Sequence, residues 1–74
     1  MNNHLRVAII SPPDREFPAA EIMLGDEQWA ELNQEEGILS LEIYHRRDGQ
    51  PWRVSYDAVL EALMNAKERL VGEI

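Results

Sequence analysis

At Ser55 the spacing of apolar residues changes from a period of two to about 3.6, and the change divides the chain into a strand-forming stretch and a helix. In "SYDAVLEALMNAKERLVG", Val59, Leu63, Ala66 and Leu70 fall on one stripe, flanked by Leu60, Ala62 and Val71. Ser55 suits the N-cap and Asp57 sits in the first turn, where the helix dipole favours an anion. Lys67 and Arg69 lie near the last turn, and Gly72 suits the position after the helix end. The spacing predicts an amphipathic helix over roughly Tyr56 to Val71.

Everything before Ser55 alternates. "LRVAIIS" sets Leu5, Val7 and Ile9 against Arg6, Ala8 and Ile10, the pattern of a strand covered on one side. Pro12, Pro13 and Pro18 in "SPPDREFPA" lack backbone donors and favour extended geometry, so this segment reads as a stiff, solvated connection. "AEIMLG" then places Ala20, Ile22 and Leu24 on one side and Glu21 and Met23 on the other. It ends at Gly25-Asp26, a turn signal.

The acidic stretch "DEQWAELNQEEG" admits two structures. As a helix it has good formers, with Asp26 to cap it and Gly37 to end it. That helix would stack Glu27, Glu31 and Glu35 at i, i+4 and offer only Trp29, Ala30 and Leu32 as an apolar stripe. As a strand, Gln28, Ala30 and Leu32 face one way. The following "ILSLEIYHR" alternates with Leu39, Leu41 and Ile43 inward. A loop from Gln34 to Gly37 would pair Leu32 with Leu39 and Ala30 with Leu41, so inward meets inward. We read the stretch as strand plus turn.

"RRDGQPW" contains Asp48-Gly49 between two alternating runs, a strong hairpin signal that predicts a tight turn with Gly49 at positive φ. Pairing about it sets Ile43 against Val54 and His45 against Trp52, with Pro51 confining this fifth strand to an edge. The fold class expected is α+β: an antiparallel β-meander of four to five strands followed by one C-terminal amphipathic helix packed on one face. Residues 1–74 form a single small domain, with no internal repeat.

The charge narrows the functions. Glu21, Asp26, Glu27, Glu31, Glu35, Glu36 and Glu42 occur between residues 21 and 42 without one base, and this block accounts for the whole net charge of −7. It would repel a phosphate backbone and attract a basic protein or a cation, although such blocks usually serve only as a solvated surface. No nucleic-acid partner is therefore expected. With 45% hydrophobic and 28% charged residues the composition is that of an ordinary globular protein. No run is long enough to span a membrane, "MNNHLRVAII" has too short an apolar core for a signal peptide, and cysteine is absent. A cytoplasmic location is expected, although a lack of cysteine fits a reducing compartment without proving one.

Catalytic signatures are missing: there is no Gly-rich phosphate loop, nucleophile elbow or histidine cluster. His4 and His45 are isolated, Glu31 and Glu42 lie on an open face that offers little desolvation, and Glu35 with Glu36 matches no EF-hand spacing. No catalytic residue, cofactor or metal is assigned. One helix cannot cover both faces of a sheet, and the outer face would display Met23, Trp29 and Tyr44 among Glu21, Glu27, Glu31 and Glu42. We therefore assign partner binding to Met23, Trp29, Glu31, Glu42 and Tyr44. The expected function is a small acidic, non-enzymatic module that binds a protein, either a basic partner or a second copy of itself. A neutraliser of a basic toxin, like an immunity protein or antitoxin, fits this description. The alternatives are a small enzyme or ligand-binding domain, or a subunit of a larger assembly.

Overall fold

The structure, a computed structural model, describes residues 4–72. It consists of β1 (Leu5–Ile10), β2 (Ala19–Leu24), β3 (Glu27–Asn33), β4 (Ser40–Ile43) and α1 (Tyr56–Gly72). The strands form one antiparallel sheet in the order β1-β2-β3-β4, the meander expected from the alternation. The acidic stretch is strand and turn rather than helix, with Glu27 to Asn33 in β3.

Pairing brings the apolar sets together on the face beneath α1. Val7 lies opposite Ile22, Ile9 opposite Ala20, and Ile22 and Ala20 in turn oppose Ala30 and Leu32. Gly25, with φ 62°, takes the first central place of the two-residue turn between β2 and β3, where only a residue free to adopt positive φ fits without strain. The register of β2 against β3 shifts between Ile22 and Met23, so that Ile22 faces Ala30, Met23 faces Gln28, and Trp29 is the extra residue of a β-bulge.

The β3–β4 connection is two residues longer than the sequence suggests. Leu32 opposes Leu41 and Ala30 opposes Ile43, instead of Leu39 and Leu41. The reason is the turn itself: Gly37 N donates to Gln34 O at 3.1 Å with Gly37 at φ 81°, and Ile38 and Leu39 are then needed to return to the sheet. A shift of two keeps every side chain on its face, which is why parity could not detect it.

No fifth strand forms among the described residues. Gly49 has the expected positive φ of 76°, but the turn is closed by Gly49 N on Arg46 O at 3.0 Å, so Asp48-Gly49 is not its central pair. Beyond it Pro51 has no donor, Arg46 binds the Pro51 carbonyl at 3.1 Å, and the expected Ile43–Val54 and His45–Trp52 pairs are replaced by a single bond. In that bond Trp52 Nε1 donates to Tyr44 O at 2.7 Å.

Helix α1 begins as expected, with Ala58 N donating to Ser55 Oγ at 3.3 Å. Its buried positions are Ala62, Ala66 and Leu70, while Val59 and Leu63 are partly buried against the same core. The helix is thus rotated toward Ala62, and small side chains let its backbone approach the sheet. It packs on β1 and β2, less on β3, and makes no contact with β4 among the described residues. A helix about 10 Å across covers about two strands spaced about 4.8 Å apart, so a single helix leaves an edge of a four-stranded sheet bare.

Candidate functional site

The outer face, opposite α1, is partly roofed by the chain itself. The β1–β2 loop turns at Arg15 N to Pro12 O, 3.1 Å, and the backbone N–H groups of Glu16 and Phe17 both donate to the Glu35 carboxylate at 3.1 and 3.0 Å. This clamp ties the proline-rich loop to the β3–β4 turn. Beneath the loop, Ala19 and Asn33, opposed across β2 and β3 by register, are almost fully buried on the side away from the helix.

Glu31 lies at the centre of this roofed region and is only 6% exposed. Its Oε2 is 2.9 Å from the Arg15 guanidinium and accepts from Asn33 Nδ2 at 2.9 Å; its Oε1 accepts from the Tyr44 hydroxyl at 3.3 Å. Asn33 Nδ2 also reaches Glu42 Oε1 at 3.3 Å, and Arg15 stands 3.8 Å from the same oxygen. Glu31 pairs directly with Glu42 in β4 and with Glu21 in β2. Three carboxylates in a row across three strands would repel one another; Arg15 supplies the positive charge between two of them, and Gln28 Nε2 donates to Glu21 at 2.7 Å. Partial burial, followed by the charges of Glu31 and Glu42, raises the Tyr44 pKa above its ordinary 10.0, with Arg15 opposing.

The five residues assigned to partner binding therefore separate. Glu31, Glu42 and Tyr44 come together in one network, and Glu42 remains exposed. Met23 is half-buried further along β2, opposite Gln28. Trp29 is not on the outer face: the bulge turns it inward, where it is 5% exposed and belongs to the core with Ile22, Ala30 and Ala62. Gln28 takes the outward place instead. A bulge inverts local parity, and alternation alone carries no sign of it.

Arg15, Asn33 and Glu35, which build the roof, escaped the sequence reading. So did an apolar surface on the other side of β4. Leu39, Leu41 and Ile43 are 37, 40 and 58% exposed, and Leu41 and Ile43 point to the helix side, where α1 does not reach. On α1, Tyr56, Leu60, Met64 and Val71 form a second, exposed stripe about a third of a turn from the buried one. Arg69 and the groove formed with His4 and Leu5 place the β1 side of the helix away from that stripe. A hollow of about 510 Å³ lined by Met64, Lys67, Glu68, Val71 and Gly72 continues it. The width of one helix against four strands was the available signal.

A second open hollow, about 430 Å³, is lined by Asp26, Glu27, Gln28, Tyr44, His45 and Arg47. Arg47 stands 3.8 Å from Asp26 and 3.5 Å from Glu27, so one guanidinium is shared by two carboxylates. Among the described residues no three His, Asp or Glu side chains are placed to hold a metal ion, and no helix is long and apolar enough to cross a membrane. No protein-family model, curated protein or solved structure matches the chain.

Proposed function

We propose that the chain is a non-enzymatic protein-binding module whose partner docks along β4, with Leu41 and Ile43 as apolar anchors and Glu42 and Tyr44 at the acidic rim. The observation that carries this is the set of exposed apolar residues Leu39, Leu41 and Ile43, alternating into and along an edge strand that α1 leaves uncovered. Contiguous apolar surface of this kind costs free energy in water and is a common mark of an interface. The acidic network behind it selects a basic partner and speeds its approach.

This moves the binding surface from the outer face to the β4 edge, because Glu31 is engaged by Arg15 and Trp29 is in the core. A cytoplasmic neutraliser of a basic protein, similar in role to an immunity protein or antitoxin, remains the concrete role that fits a charge of −7 on so short a chain. The test uses Leu41→Thr combined with Ile43→Thr, which keeps β-propensity while removing apolar surface. Light scattering on the purified protein and affinity capture from native lysate are compared with wild type. Loss of a captured protein in the folded double variant is expected; unchanged capture and unchanged mass would remove β4 as the site.

A further inference from the structure

The strand β4 has a polarity that the side chains alone do not reveal. Tyr44 N donates to Trp29 O at 3.0 Å, which fixes Tyr44–Trp29 as a hydrogen-bonding pair in the β3–β4 register. In an antiparallel ladder such pairs alternate, so Ser40, Glu42 and Tyr44 turn their backbone groups toward β3. Leu41 and Ile43 turn their N–H and C=O groups to the open edge. The same two residues carry the uncovered apolar side chains, so free backbone partners and free apolar surface coincide.

The other edge of the sheet is capped at one carbonyl. Arg69 Nη1 donates to Val7 O at 2.7 Å across β1, and α1 packs along that strand. Natural edges are commonly blocked by Pro, Lys, a bulge or an overlying element. Within Ser40–Ile43 there is no Pro, Lys or bulge, and Trp52 covers only the end of the strand through its bond to Tyr44 O. Its one charge, Glu42, points to the outer face beside Glu31, Arg15 and Tyr44.

We infer that β4 receives an added β-strand from a basic protein, an extended segment that alternates apolar residues over Leu41 and Ile43 with Lys or Arg beside Glu42. This rests on the binding role proposed above and specifies the partner's chemistry. Strand addition supplies main-chain hydrogen bonds for affinity and alternate side chains for specificity. Charge decides the occupant: a second copy would bring another −7, and pairing β4 with itself about Glu42 would set two carboxylates directly opposite each other. Basic side chains meet the same position with the opposite sign.

The probes are synthetic peptides of about seven residues, the ordinary length of a strand, alternating lysine with valine or glutamate with valine. Two further lysine–valine peptides are N-methylated either at every valine or at every lysine. Binding to the full chain is followed by the amide resonances of Leu41 and Ile43. The lysine–valine peptide is expected to shift and protect those amides, more weakly as salt rises, and the glutamate–valine peptide to bind at least about tenfold more weakly. The valine-methylated peptide should fail and the lysine-methylated one bind, since the residues opposite Leu41 and Ile43 are those whose N–H groups face β4. Leu41→Pro should abolish binding while leaving the circular dichroism folded, because its N–H faces the edge and not β3.

Equal binding of all peptides, no binding of any, or a lysine–valine complex indifferent to both N-methylations would overturn strand addition. Self-association through β4 in place of peptide binding would overturn it as well. If Leu41→Pro unfolds the chain, the N-methyl pair still decides. If every peptide fails while Leu41→Thr with Ile43→Thr loses its captured protein, β4 binds by its apolar side chains alone and only this inference falls.

Discussion

Arg15 places its guanidinium 2.9 Å from the buried carboxylate of Glu31, joining a loop that sequence alone suggests is solvated to the middle of the third strand. An ion pair of this kind is weak evidence of net stabilisation but expensive to break on one side, because the carboxylate stays behind. Arg15→Met should therefore destabilise the domain by about 1–3 kcal/mol, below the 3–5 kcal/mol of a fully buried pair because Arg15 is partly exposed. Adding Glu31→Gln to Arg15→Met should recover part of the loss. Urea unfolding of the two single variants and the double variant checks this; a double variant as unstable as the sum of both singles would separate the two residues energetically.

The raised pKa of Tyr44 has a definite sign. Its neutral form is favoured in the folded state, so its contribution is fully present below the ordinary value of 10.0 and is lost as pH rises from there through the folded pKa. Stability measured by urea midpoints should fall above about pH 10. Tyr44→Phe should flatten that part of the curve, and an identical alkaline slope in the variant would assign the loss to other groups.

Leu70 is fully buried and Leu60 is 43% exposed on the adjacent stripe of the same helix. Leu70→Ala should cost about 2–5 kcal/mol, the usual range for a packed leucine. Leu60→Ala should cost less than about 1 kcal/mol. Similar losses at both positions in chemical denaturation would mean that α1 is rotated on the sheet.

Burial of Trp29 reverses what a surface tryptophan would do. Trp29→Ala should cost about 3–5 kcal/mol, and it cannot serve as a selective probe of binding. Trp29 fluorescence, isolated in a Trp52→Phe background, should be blue-shifted and poorly quenched by iodide. Free quenching would return the residue to the surface.

Gly37 holds φ 81° with nothing within 4 Å of where a Cβ would stand, so a substitution there meets strain without a clash. Gly37→Ala should cost about 1–2 kcal/mol, the penalty of the left-handed region for an L-residue. A thermal midpoint equal to wild type would show that the turn relaxes to another shape.

The strands and helix were legible because each rests on a local pattern: alternation through Leu5, Val7 and Ile9, and helical spacing through Ala66 and Leu70 with Ser55 to cap it. Even the acidic stretch could be resolved, since like charges at helical spacing oppose one another. What escaped depends on relations between distant residues. Trp29 turns inward through one added residue in a ladder, the β4 register slides by a parity-preserving two, and Arg15 reaches Glu31 only once the loop has folded over β3. The fifth strand failed for lack of donors and pairing partners around Pro51. The acidic block was correctly located in sequence, but its central member is neutralised internally, so composition overstated how much of it faces outward.

The hydrogen bond from Arg69 to Val7 joins residues 62 positions apart, and α1 packs most closely on the first strand. The hairpins close locally, whereas the helix can dock only after nearly the whole meander has been made. During synthesis the sheet emerges with Ile22, Ala30 and Leu32 bare until α1 clears the ribosome. Until α1 docks, the apolar inner face of the meander has no cover of its own.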